Sequence, residues 1–185
     1  FLKKFHLPKE VILITGTNGK TTTSNLIAES LRANGLKVLN NHRGDNLNVG
    51  IATTLASGSD DQYRIQADAL VLEIDELTMY RQFDNLHPTT LVITNFFRDQ
   101  LDRAGEMETI ILKFIELMER FEGHLILNGD DPNVVRLADH VKDELEANAV
   151  AFALGDTKAI LINADISGLF TQFSEPICAY ISEKT

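Results

Sequence analysis

The apolar, β-type run Val11-Ile12-Leu13-Ile14 leads straight into Thr15-Gly16-Thr17-Asn18-Gly19-Lys20-Thr21-Thr22-Thr23, a glycine-containing loop that ends in Lys-Thr ahead of a helix-permissive segment. Such a junction narrows the possible folds and chemistries sharply. Small residues let successive backbone N–H groups converge on a polyphosphate, and a helix starting near Gly19 adds the positive end of its dipole. On this reading Thr17, Asn18, Gly19 and Thr22 cradle a nucleotide, Lys20 reaches its β/γ-phosphates, and the Thr21 hydroxyl ligates Mg²⁺. The general phosphate-loop pattern has a glycine five positions before the Gly-Lys pair, whereas this chain has Ile14 there and Gly16 inside the loop. The plain alternative is a tight strand-to-helix turn with a surface lysine.

A second feature lies further along. Leu72-Glu73-Ile74-Asp75-Glu76 closes the apolar run 69–72 and so puts Glu73 at the carboxyl end of a buried strand, where a carboxylate can hold the magnesium of a bound nucleotide. A surface acid at a strand end is the competing interpretation.

Short apolar runs alternate with longer amphipathic stretches, the pattern of βαβ units around a parallel sheet. Strands are expected at 10–15, 37–40, 69–74, 90–94, 124–128 and 149–153. Leu26, Ile27, Ser30 and Leu31 suggest the inner face of the helix after the loop, and Ile110, Ile111, Phe114, Ile115 and Met118 that of the helix after Gly105. Gly35 suits the end of the first helix, and Pro132 the first turn of another. The fold class is therefore α/β, a mostly parallel sheet with helices on both faces.

The loop TGTNGKTTT resembles the ATP loop of the Mur ligase superfamily, whose members join amino acids of the peptidoglycan stem and include the folylpolyglutamate synthases. Thr94-Asn95-Phe96-Phe97-Arg98-Asp99-Gln100-Leu101-Asp102-Arg103 resembles the superfamily's signature of Asn followed by Asp-His-x-Asp, with Gln100 where the amino-acid-adding members have His. Together with NHRGDN (41–46), LEIDE (72–76) and LNGDDPN (127–133), it looks like the MurT-type subunits of lipid II isoglutaminyl synthase over about residues 10 to 140.

The resemblance implies a P-loop NTPase-like Mur ligase central domain, with ATP and Mg²⁺ as cofactors. The implied reaction activates the α-carboxylate of D-glutamate in the lipid II stem peptide as an acyl phosphate. Ammonia from a GatD-type glutamine amidotransferase subunit then gives D-isoglutamine, in peptidoglycan biosynthesis. Lys20 and Glu73 become the catalytic groups, Thr21 and Glu73 the metal ligands, Asn46 a neighbour of the γ-phosphate and Asn128 a contact of the adenine. Asn128 to Asp131 also suit a turn and helix cap, and Asn46 a polar loop. Asp99 and Asp102 have two readings, orientation of the metal shell or capping of the next helix, and Arg103 pairs with either. The lysine that several Mur ligases carbamylate aligns with Phe114, beside Lys113, so no carbamylated lysine is expected here.

MurT-type subunits commonly carry a four-cysteine zinc ribbon, but Cys178 is the single cysteine, so zinc is not supported. The histidines His6, His42, His87, His124 and His140 show no metal-ligand spacing either. No Gly-x-Ser-x-Gly or Cys-His arrangement suggests a hydrolase nucleophile. With 17 basic against 27 acidic residues the net charge is −10, which argues against nucleic acid and anionic membrane as partners. No apolar run approaches the roughly 20 residues of a membrane span, and no signal peptide is visible, so a cytoplasmic location without membrane insertion is expected.

At 185 residues the chain fits a fragment of a longer enzyme, inactive by itself, with the central ATP-binding domain over 1–154. Residues 155–185 are expected to add strands, at 159–162 and 177–181, or to begin an insertion. Two other functions share the loop. An amino-acid-adding ligase or folylpolyglutamate synthase would favour His at position 100, and a non-catalytic nucleotide-binding regulatory module would lack a ligase's product.

Overall fold

A computed structural model describes residues 1–41, 45–96, 104–138, 140 and 149–152. After a single 3₁₀ turn at Leu2–Lys4 come β1 (Glu10–Thr15), α1 (Lys20–Ala33), β2 (Val38–Asn40), α2 (Asn48–Ser57) and β3 (Ala69–Glu73). Then follow α3 (Glu76–Leu86), β4 (Thr90–Ile93), α4 (Ala104–Met118), β5 (His124–Asn128), α5 (Pro132–Ala138) and β6 (Ala149–Phe152). All six expected strands are present, three of them a residue shorter at one end, at 37, 74 and 94, while residue 153 of the sixth lies outside the described residues. The expected strands at 159–162 and 177–181, Cys178, and the segment Asp99, Gln100, Asp102 and Arg103 lie outside the described residues.

The central strands β1, β3 and β4 are legible because they are covered on both faces. All five residues of β3 and all four of β4 are buried, so each reads as a continuous apolar run rather than an alternation. Helix ends follow local chemistry. Gly35, at φ +86°, turns the chain out of α1, and its N–H donates to Arg32 O at 2.9 Å while Leu36 N donates to Leu31 O at 3.2 Å. Asp75 caps α3 by accepting from Thr78 N at 3.0 Å.

All strand pairs are parallel, in the order β2-β3-β1-β4-β5-β6. The chain leaves β1 towards the β2 edge, returns to insert β3 beside β1, and then crosses to β4 on the other side. The carboxyl ends of β1 and β3 therefore lie side by side at the point where successive connections run in opposite directions, the place where open α/β sheets bind ligands.

One sheet face, with Ile12, Ile14, Ala69 and Val71, is covered by Ala28 and Leu31 of α1. The other takes α2 to α5, through Ile51, Leu55, Met79, Phe83, Ile111, Phe114 and Val134 among others. Helices thus cover both faces, as expected, but Leu26 is not an inward residue. It is 66% exposed, because the buried stripe of α1 runs through Ser24, Ala28 and Leu31 at spacings of four and three, which turns Leu26 to the opposite side. Among the described residues no helix is long and apolar enough to cross a membrane.

Candidate nucleotide site

Between β1 and α1 the chain makes two turns that only glycine adopts without strain. Gly16 has φ +127° and Gly19 φ +82°, and Gly19 forms the N-cap from which α1 starts at Lys20. Gly16 also meets a steric limit. A Cβ there would stand 2.3 Å from Thr94 Oγ1, 2.7 Å from Asn95 O and 2.8 Å from Asn95 N, so the loop lies directly against the chain leaving β4.

That contact is fastened by hydrogen bonds. Thr17 N donates to Asn95 O at 2.8 Å. The Asn95 carboxamide accepts from Asn18 N and donates to Asn18 O, both at 2.9 Å, and Thr94 Oγ1 donates to Asn18 O at 2.8 Å. The segment after β4 is braced in turn by Asp131, which is 3% exposed. Its Oδ2 accepts from Phe96 N at 2.8 Å while its Oδ1 caps α5, accepting from Asn133 N at 2.8 Å and Val134 N at 3.2 Å. A run of polar ties thus joins the start of α5 to the phosphate-type loop. The residues behind it were present in the quoted motifs, but no spacing signal reveals that Thr94 and Asn95 hold Asn18.

Thr17, Asn18, Gly19, Lys20, Thr21, Thr22, Asn46 and Glu73 line one cleft of about 290 Å³ above the ends of β1 and β3. These are all the expected site residues but Asn128. Within the cleft the Lys20 ammonium donates to Gly16 O and, at 3.2 Å, to Thr17 O, so it is parked on the loop's own carbonyls. Glu73 is 1% exposed, and its Oε2 has no hydrogen-bond partner. A buried, unpartnered carboxylate oxygen in the same cleft as a threonine hydroxyl suits a hard cation. Among the described residues no group of three or more His, Cys, Asp or Glu could hold a metal unaided. Mg²⁺ needs few protein ligands when phosphates and water supply the rest, so Thr21 and Glu73 fit it as a nucleotide-borne ion.

Glu76, which sequence reasoning did not single out, stands in the field of Lys20 at the start of α3. Burial raises its pKa from the ordinary glutamate value and neighbouring Asp75 adds to that, while a hydrogen bond from its own backbone N–H and the Lys20 charge oppose it. Asn128 closes β5, where its Oδ1 accepts from Asp130 N at 3.0 Å in a local turn, and it does not line the phosphate cleft. Phe114 is wholly buried with its ring edge-on to Phe96 at 5.1 Å, and Lys113 lies over the Tyr80 ring at 5.2 Å.

The family described as the Mur ligase middle domain matches residues 14–177. The MurT subunit of lipid II isoglutaminyl synthase (glutamine-hydrolyzing) from Staphylococcus aureus is 41% identical over 128 residues, which is 69% of this chain and 28% of that protein. A UDP-N-acetylmuramate–L-alanine ligase from Rubrobacter xylanophilus is 35% identical over 130 residues, covering 69% of this chain and 27% of the ligase. Among solved structures, a pseudomurein peptide ligase type C from Methanothermus fervidus superposes with a TM-score of 0.59 at 31% identity, over 81% of this chain and 28% of that one. The chain therefore spans less than a third of the length of each relative.

Proposed function

We propose that this chain, which belongs to the Mur ligase middle domain family, is the ATP-binding domain of a MurT-type subunit that amidates lipid II. The observation that carries the nucleotide part is the cleft itself, lined by Lys20, Thr21 and the buried Glu73, whose Oε2 has no hydrogen-bond partner. The choice of branch rests on Gln100 in place of histidine and on the 41% identity to a MurT subunit, above the 35% to an alanine-adding ligase.

In this reading backbone N–H groups of the loop orient the triphosphate at the α1 N-terminus. Lys20 leaves the carbonyls of Gly16 and Thr17 for the β/γ-phosphate oxygens, where its charge is worth most as the phosphoryl group transfers. Thr21 and Glu73 would hold Mg²⁺, which supplies further neutralisation of the phosphates. Asn46, which also lines the cleft, would neighbour the γ-phosphate, and Asn128, at the end of β5, would contact the adenine.

The acceptor is the α-carboxylate of D-glutamate in the lipid II stem. It takes the γ-phosphoryl group of ATP to become an acyl phosphate, releasing ADP, and ammonia then displaces phosphate, converting D-glutamate to D-isoglutamine. No side chain here need generate ammonia, which fits supply by a separate GatD-type glutaminase. Residues 1–154 then form the central domain, 155–185 add to it, and the remainder of a longer cytoplasmic enzyme completes the catalytic site.

The test is to incubate the full-length protein and the candidate glutaminase with glutamine, Mg-ATP and lipid II, and to identify the product by mass spectrometry. Conversion of one carboxyl to an amide, lost in Lys20→Ala, is the expected result. An added amino-acid residue would instead place the protein with the classical ligases, and nucleotide binding without product would make it a regulatory module.

A further inference from the structure

Beyond Asn40, which pairs with Val71, β2 supplies no further backbone partner to β3, yet β3 runs on to Glu73. The side chain of Asn41 completes the edge. Its Oδ1 accepts from Glu73 N at 2.9 Å and its Nδ2 donates to Glu73 O at 2.7 Å, so one carboxamide makes the pair of bonds that a strand residue would have made. The second Nδ2 hydrogen goes to Asp45 O at 3.0 Å. Next to it, Asp75 N donates to Asn46 O at 3.0 Å and ties the same loop to the turn after β3.

We propose that Asn41 is a positioning residue of the metal–nucleotide site, holding the Glu73 end of β3, and with it the Glu73 carboxylate, in register over the cleft. Asn41 is 4% exposed and does not line the cleft, so it acts through Glu73, which does. Only a short side chain with both a donor and an acceptor serves. Aspartate keeps the acceptor but sets a buried carboxylate against two backbone carbonyls, alanine leaves the Glu73 N–H and both carbonyls unpaired, and glutamine is a methylene too long. Supports of this kind around a metal ligand typically govern metal affinity by about 10–100-fold when removed.

The inference rests on the assignment of Glu73 as a metal ligand, and the experiment separates the two. Binding of a fluorescent ATP analogue to the full-length protein is measured with Mg²⁺ and with chelator, for wild type, Asn41→Ala, Glu73→Gln and the double variant. Asn41→Ala is expected to reduce the Mg²⁺-dependent gain in affinity by about 10–100-fold, leave binding in chelator near wild type, and add nothing in the Glu73→Gln background. Equal losses with and without metal, losses that add in the double variant, or no loss at all would overturn the positioning role. A normal Mg²⁺ response in Glu73→Gln would overturn the ligand assignment instead. Should Asn41→Ala not fold, Asn41→Gln, uncharged and able to hydrogen-bond but a methylene too long, carries the same cycle with the same criteria.

Discussion

Gly16→Ala set against Gly19→Ala isolates the contact on which the site is built. Both glycines have positive φ, +127° and +82°, so both substitutions force an L-residue into disfavoured backbone. Only Gly16 has neighbours. Its added methyl would lie 2.3 Å from Thr94 Oγ1 and under 3 Å from Asn95 N and O, whereas nothing stands within 4 Å at Gly19. Two of the three clashing atoms are backbone. The third is held by the single Thr94 hydroxyl proton, which has Asn18 O at 2.8 Å and Thr15 O at 3.1 Å as acceptors, so a rotamer change that relieved the overlap would give up that bond. Backbone strain of about 1–3 kcal/mol plus overpacking of about 1–3 kcal/mol gives roughly 2–6 kcal/mol for Gly16→Ala. Gly19→Ala carries only the smaller backbone cost of a left-handed residue, about 1–2 kcal/mol. For a chain of this size each kcal/mol is worth roughly 2–4 °C in Tm, so the first variant should melt well below the second. Urea and thermal unfolding followed by circular dichroism supply the comparison. ATP-analogue binding should fall further in Gly16→Ala, because the loop's hold on Asn18 is displaced. Equal stability of the two variants would refute the close packing of the loop on the segment after β4.

The brace at α5 gives a second prediction. Asp131→Ala strands the N–H groups of Phe96, Asn133 and Val134 and should cost about 2–4 kcal/mol in urea unfolding, with Asp131→Asn recovering part of it; a loss below about 1 kcal/mol would show that the cap is replaceable by water. A third concerns pH. Burial raises the Glu76 pKa from 4.5, so the native state holds that proton more tightly than the unfolded chain; the resulting stability is full below 4.5 and is lost as pH rises through the raised value. Glu76→Gln should therefore melt higher than wild type near neutral pH, with the gap closing on acidification, and a gap that widened in acid would reverse the assignment.

Much of the molecule was legible from residue order alone, for local reasons. Strands buried on both faces appear as unbroken apolar runs, and Gly35, Asp75 and Pro132 mark helix ends through backbone chemistry that acts within a turn or two. The loop from Thr17 to Thr22 is contiguous, and a buried strand end is enough to suggest Glu73. Tertiary structure decided the rest. The chain inserts β3 between β2 and β1, and that order alone brings Glu73 and Asn46 to the phosphate loop. The reciprocal bonds of Asn95 with Asn18 and of Asn41 with Glu73 join residues 77 and 32 positions apart. Leu26 makes the same point in reverse, carrying a plausible local signal whose outcome depended on what the folded chain set beside it. Propensity and periodicity report on neighbours along the chain, whereas a carboxamide's partners are chosen by whichever backbone groups the completed sheet leaves unpaired.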